Sequence, residues 1–351
     1  MYEKDGEKYF VIDGHTHFWD ASPANWVPGQ EQYAKGWIEC FHAYQSLGPP
    51  ETHWPIEQFQ KYSEEMMMQH LFDEGHVDVA IFQPTYLKQW YKTGFNTTET
   101  NAALAQRHPG RFVVNASWDP RAGEDGLKEF EDKVARWGCK GVKLYTAEWR
   151  GDSRGWSLKS PESARYLEKC QELGVKNIHV HKGPTIWPLD KDAFDVADID
   201  FAATNFPELN FIVEHVGLPR IEDFCFMATQ EPNVYAGLAV VIGALMHARP
   251  RFFAKVMGEL MFWLGEDKLI FGADYAIWEP RWQVEGFVDW QMPTDAEFAD
   301  YAQLTTQAKK KILGLNAARL YDIKVPAELD LPVPAGPEGA EPLAAPASAS
   351  A

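Results

Sequence analysis

Apolar positions along this chain switch between two spacings. Eight short runs of mostly β-branched, aliphatic or aromatic residues fall at 9–12, 77–83, 112–116, 141–145, 176–181, 210–215, 233–236 and 268–272. Between most of them the apolar residues return every three or four positions, as in Ile56, Phe59, Tyr62, Met66 and Leu71. That spacing predicts helices over 55–74, from Thr97 or Thr98 to the His108-Pro109-Gly110 turn, and over 124–137, 161–173, 190–205 and 251–264, with a helical region from 294 to 320. Apolar strands alternating with helices imply parallel strands covered by helices. Eight such units predict an α/β fold, a closed (β/α)8 TIM barrel rather than an open sheet. The chain is 351 residues long, and such a barrel typically takes about 250 residues and tolerates insertions. One barrel domain is therefore expected over 1–324. No internal repeat is visible. Residues 325–351 are mostly Pro, Ala, Glu and Ser and are expected to form a disordered tail.

One segment breaks the alternation. Residues 18–55 have Gly and Pro punctuation and weak periodicity, yet carry Phe18, Trp19, Trp26, Trp37, Phe41, Tyr44 and Trp54. Disordered segments are poor in aromatics. This insertion after the first strand is expected to pack down, either as a cover over a site or as a surface insertion on neighbouring helices.

Composition narrows the partners. The net charge of −18 argues against nucleic acid and anionic membrane surfaces. No run of eighteen apolar residues predicts a membrane span. The charged N-terminus lacks the apolar core of a signal peptide, and Cys40, Cys139, Cys170 and Cys225 form no C-x-x-C pair. A soluble cytoplasmic protein with reduced thiols is expected. A small molecule is the expected ligand, and a homodimer is left open.

The candidate chemistry lies at strand ends. Gly14 marks the expected end of the first strand, and His15 and His17 follow it. At a period of two, both imidazoles point the same way. His181 ends the fifth run, His215 the sixth, and Asp274 follows the eighth. In a (β/α)8 barrel these strand ends form the active-site face. Taken singly, each is an ordinary buried histidine or turn aspartate; together they are a ligand set suited to Zn²⁺ or a similar ion. The other histidines (His42, His53, His70, His76, His108 and His247) have no ligand spacing. The chain has no G-x-S-x-G, Walker or G-x-G-x-x-G motif.

These motifs resemble a known family. His15-Thr16-His17, Ile178-His179-Val180-His181, Val213-Glu214-His215 and Phe271-Gly272-Ala273-Asp274-Tyr275 look like the metal-site motifs of the amidohydrolase superfamily. They are closest to its amidohydrolase-related branch, which includes aminocarboxymuconate-semialdehyde decarboxylase, γ-resorcylate decarboxylase and sugar-acid lactonases. Arg111-Phe112 and Asn316-Ala317-Ala318-Arg319-Leu320 fit the same pattern, so the resemblance runs from Val11 to Tyr321. It implies that His15, His17, His181 and Asp274 bind one divalent ion, Zn²⁺ first, with Mn²⁺ and Fe²⁺ as alternatives. It also implies acid-base roles for His215 and Asp274. His181-Lys182-Gly183 matches the family's His-x-Gly, which leaves His179 one layer lower as a supporting or core residue. Lys143 in the fourth strand is similar to the carboxylated lysine that bridges two metals elsewhere in the superfamily. It lies inside the strand, so a structural lysine and a mononuclear site are expected.

Two reactions share this site. One is non-oxidative decarboxylation of a small aromatic or unsaturated acid. The other is metal-dependent hydrolysis of a lactone, ester or amide. The opening His-Thr-His-Phe-Trp-Asp also looks like that of the sugar lactonases. A binding protein with a vestigial site is disfavoured by the intact ligand set. The aromatic insertion has Lys35 as its single lysine or arginine and suits an apolar acid better than a sugar acid, so the decarboxylase leads. Arg150, Arg154, Arg220 and Arg281 lie in loops where one could meet a carboxylate, although each reads more readily as a surface charge.

Overall fold

The computed structural model describes residues 1–149 and 155–329. Eight parallel strands follow one another: β1 (Ile12–Thr16), β2 (Val79–Phe82), β3 (Phe112–Val114), β4 (Gly141–Leu144), β5 (Asn177–His181), β6 (Asn210–Glu214), β7 (Val234–Gly237) and β8 (Leu269–Ile270). β1 to β3 form one sheet and β4 to β8 another, each in sequence order. Two seams join them into a ring. Ala116 N donates to Gly141 O at 2.9 Å and Lys143 N to Ala116 O at 2.8 Å; on the other side Gly14 N donates to Phe271 O at 3.0 Å and His17 N to Tyr275 O at 2.7 Å. The fold is the expected TIM barrel.

The first strand differs from expectation. It runs through Gly14 instead of ending there. A Cβ at Gly14 would meet Phe271 O at 2.7 Å. The glycine therefore serves the close approach of β1 to the segment after β8 rather than a turn. A register shift between Asp13 and Thr16 against β2 brackets His15, a bulge of the kind that re-aims side chains at a site.

Residues before Ile12 form an antiparallel hairpin, Tyr2–Lys4 with Glu7–Tyr9. Asp5 and Gly6 both have positive φ, as a two-residue hairpin turn requires. The Asp-Gly pair was its signal, hidden among charges.

The insertion packs down, as its aromatics imply, and contains a helix, Glu31–Tyr44, whose buried Ala34, Trp37, Ile38 and Phe41 have helical spacing between stretches punctuated by Gly and Pro. Trp19, Trp37, Ile38 and Phe41 are buried. The helix expected over 55–74 is interrupted after Gln60, and Ser63 caps a new turn by accepting from Met66 N. Helices Ile221–Ala228 and Pro280–Asp289 were not foreseen. At the C-terminal side, Ala327–Leu329 form one turn and Leu329 is buried with Phe10 and Ile12. The first residues of the expected tail thus lie against the barrel, and residues 330–351 fall outside the described part. Among the described residues, no helix is long and apolar enough to cross a membrane.

Candidate metal centre

The residues singled out at the strand ends converge. His15, His17, His181, His215 and Asp274 are all buried. His15 comes from β1 and His17 from just past its end, His181 from β5, His215 from the turn after β6, and Asp274 from the turn after β8. Glu214 and His215 are adjacent and should face opposite ways in a strand. Both reach the interior because His215 adopts φ +67° just past the strand. Asp274 is turned in the same way, with φ +60°.

Ligand atoms of His15, His215 and Asp274 all lie within 4.8 Å of one another. His17 Nε2 joins them at 3.3 Å from Asp274 Oδ1. His181 does not. It stands beside the group, its Nδ1 3.0 Å from His215 Nε2, its ring stacked on Tyr145. The expected ligand His181 is thus outside the tight group, and the expected non-ligand His215 is inside it. The left-handed backbone at His215, invisible to strand parity, makes that difference. His215 Nδ1 lies 3.0 Å from Ala239 O, which needs a hydrogen on Nδ1 and leaves Nε2 toward the cluster.

Burial sets the charges. It drives the His15 imidazole down to about 3, with Glu214 opposing and Lys143 assisting. Burial also holds His181 and His215 below the ordinary histidine range. These imidazoles are neutral and offer lone pairs, the form that metals bind. Burial acts against ionisation of Asp274, yet the surrounding His15, His17 and His215 leave its carboxyl below the usual range. Lys143, inside β4, reaches 3.3 Å from His15 Nε2; burial pushes its amine down to about 8.

The donor set suits a divalent ion. His17 Nδ1 is engaged by Gln83 O at 2.8 Å, while its buried Nε2 has no hydrogen-bond partner. An unpaired buried nitrogen beside a carboxylate and two neutral imidazoles is the chemistry a borderline cation completes.

Below this layer lies another. His179 shares the parity of His181 and contacts Glu214, Tyr321 and Gln83. Of these partners, Gln83 and Tyr321 went unremarked in the sequence, as did Asn96 beside His17, and Glu214 stood out only as part of a motif. No spacing rule joins residues so far apart. Arg220 and Arg281 are exposed and paired with Asp195 and Glu285; Arg150 and Arg154 lie outside the described residues.

Phe41, Tyr44, Tyr145, Ile186, Val240 and Trp278 wall the space above His181, His215 and Asp274. Phe41 and Tyr44 come from the insertion helix, which therefore covers the site.

The family model described as amidohydrolase matches residues 12–323. A search of the curated proteins found no match. Among solved structures, an uncharacterized TIM-barrel protein from Bordetella bronchiseptica is similar at 17% identity and a TM-score of 0.64, covering 89% of this chain and 98% of that one. A 5-carboxyvanillate decarboxylase from Novosphingobium aromaticivorans, solved with bound manganese and a nitrobenzoic acid, is 15% identical at a TM-score of 0.55, covering 90% and 97%. A probable 2-pyrone-4,6-dicarboxylic acid hydrolase from Acinetobacter baumannii is 13% identical at a TM-score of 0.55, covering 89% and 99%. At these identities the solved structures speak for the barrel, and the family model, spanning nearly every strand and all five site residues, carries the assignment: the chain belongs to the amidohydrolase family of enzymes.

Proposed function

We propose that this protein is a metal-dependent decarboxylase of a small, apolar, aromatic or unsaturated carboxylic acid. The observation that carries the reading is the contrast within the pocket. One end is the His/Asp cluster; the other walls are Phe41, Tyr145, Ile186, Val240 and Trp278. A planar acid would bury its ring against those walls with its polar end at the cluster. The manganese-bound aromatic decarboxylase among the similar structures agrees with this reading.

In this reading His15, His17 and Asp274 would hold one divalent ion, with Zn²⁺, Mn²⁺ or Fe²⁺ as candidates; His181 is kept as the fourth ligand on the family motif, although it stands beside the tight group and His215 stands within it. The ion supplies a Lewis acid and template for the carboxylate or a neighbouring hydroxyl. His215 moves the proton. Its Nδ1–H is anchored on Ala239 O, so Nε2 is the working atom. Neutral at rest, Nε2 first takes up a proton from solvent; as the carbon–carbon bond to CO₂ breaks, the electron pair stays on the carbon that held the carboxylate, and the Nε2 proton forms the new carbon–hydrogen bond, which returns the imidazole to its neutral form. Asp274 keeps the proton economy of the pair by facing His15 and His17 as a carboxylate. The free cavity is about 20 Å³, room for roughly one water. A substrate therefore enters when the insertion helix and the loop after β5 part, and their return excludes water.

The hydrolase alternative uses the same residues, with the ion activating water. The apolar walls favour decarboxylation of an apolar acid. The test is a panel of aromatic monoacids, diacids and lactones with metal-loaded protein. CO₂ release from an apolar acid is expected. Lactone or ester opening without CO₂ release would transfer the protein to the hydrolases.

A further inference from the structure

The carboxylate of Glu214, 2% exposed, is the junction between the two histidine layers. Its Oε2 lies 2.8 Å from His15 Nδ1, and its Oε1 is 2.5 Å from His179 Nδ1. An ionised carboxylate only accepts hydrogen bonds. A carboxylate oxygen this close repels an imidazole lone pair, so both Nδ1 atoms carry the hydrogen and both Nε2 atoms keep a lone pair; at His15 the contact is close but not aligned as a hydrogen bond. On the His15 side the surroundings agree; on the His179 side Gln83 Nε2, also a donor, stands 3.1 Å from Nδ1, but it donates to Gly14 O at 2.7 Å and the carboxylate is the nearer partner. Lys143 Nζ, a pure donor, sits 3.3 Å from His15 Nε2. The Tyr321 hydroxyl sits 2.7 Å from His179 Nε2 and itself accepts from Asn115 Nδ2 at 2.9 Å. The fold also keeps room for the carboxylate: a Cβ at Gly237, the end of β7, would lie 2.3 Å from Glu214 Oε2.

We propose that Glu214 is a positioning residue that holds His15 in the Nδ1–H tautomer with its Nε2 lone pair turned to the ion, and that Tyr321, acting through His179, holds Glu214 in place. The proposal rests on the reading above that the cluster binds a divalent ion. The chain of contacts runs Tyr321, His179, Glu214, His15, so a residue of the last helix, Asn316–Tyr321, bears on a ligand in the first barrel strand. Partners that orient a ligating histidine typically contribute about 10–100-fold in metal affinity. A merely structural buried carboxylate would affect folding stability without changing how the ion is held.

The experiment titrates the metal-stripped full-length chain with Mn²⁺ by calorimetry. Glu214→Gln keeps the size but loses the charge, and is expected to weaken binding about 10–100-fold. Tyr321→Phe removes one oxygen, touches no ligand, and is expected to weaken binding by a smaller factor. The double variant should bind no more weakly than Glu214→Gln alone, because both act through one path. In the metal-free protein, ¹⁵N histidine spectra should show His15 protonated at Nδ1 in the wild type and a tautomer mixture in Glu214→Gln. Wild-type affinity in Glu214→Gln, or additive losses in the double variant, overturns the proposal alone. A wild-type chain that binds no Mn²⁺ overturns both the proposal and the site on which it rests. Should Glu214→Gln fail to fold, Tyr321→Phe decides: unchanged affinity and an unchanged His15 spectrum overturn the proposal.

Discussion

His179 and His181 sit two residues apart on β5, with the same parity and nearly the same burial, 1% and 4% exposed. Their surroundings differ. Around His179 the polar atoms are paired: Nδ1 with Glu214, Nε2 with Tyr321, and Tyr321 in turn with Asn115, which reaches Gln83. His181 has partners of its own, His215 Nε2 at 3.0 Å and Pro184 O at 3.4 Å, but its layer also holds Asp274 and His17, and there the buried His17 Nε2 has no hydrogen-bond partner. An unsatisfied buried polar group costs about 1–3 kcal/mol. A fold that completes one layer and leaves the next open has spent that free energy where a ligand can return it. Burial alone therefore says little about which histidine binds; the state of its partners says more.

The largest break in this comparison should come from His215. His215→Ala is expected to retain the ion while turnover falls about 10²–10⁴-fold, as for loss of a general acid-base group. The fall should appear in kcat more than in KM. Ion content and kcat measured on one preparation decide it. Loss of the ion would place His215 in the ligand set, where the close grouping with His15 and Asp274 also puts it. Next come the two β5 histidines. His181→Ala should be purified without its ion, and His179→Ala with most of it, by elemental analysis; equal loss in both would erase the distinction between the layers. The wild type should carry about one equivalent per chain, as a mononuclear site requires.

His179→Ala sharpens the comparison from the other side. It removes the partner of Glu214 Oε1 and one partner of the Tyr321 hydroxyl, which keeps Asn115, so metal-free protein should lose about 1–3 kcal/mol of unfolding free energy, chiefly for the carboxylate oxygen left unpaired. Urea melts of the metal-free variant and wild type check this. A negligible loss would mean that the lower layer is not the structural one.

The smallest effect belongs to a charged cluster outside both layers. Glu64, its side chain 32% exposed, is paired with Arg107 and His108, and Arg107 first among these holds its carboxyl down at about 2. A depressed carboxylate contributes stability above its unfolded pKa and loses it as pH falls toward the folded value. Solvent screening limits the whole effect to about 0–1 kcal/mol. The difference between wild type and Glu64→Gln should thus be small at pH 7 and shrink to nothing as melts are repeated from about pH 5.5 down toward about pH 2. A difference that grows on acidification would contradict the sign.

Much of this architecture is written in local pattern. The period-two and three-to-four-residue spacings locate eight strands and most of the helices, because each strand buries both faces and each helix one. Barrel topology then sends every strand end to one face, so His15, His17, His181, His215 and Asp274 could be gathered from position alone. Tertiary structure decided the rest. Gly14 reads as a stop signal until the neighbouring Phe271 carbonyl shows why a side chain cannot fit there. The insertion helix Glu31–Tyr44 buries Ala34, Trp37, Ile38 and Phe41 at a regular three-to-four-residue spacing, which the Gly and Pro punctuation on both sides masks as loop. His215 enters the cluster through a positive φ imposed by the turn after β6. Glu214 and Tyr321 are 107 positions apart, and only barrel closure with the last helix folded beneath it brings them to the two sides of His179. Local spacing encodes which face a residue takes. The partner waiting on that face comes from distant chain, and that partner decides whether a buried histidine is a strut or a ligand.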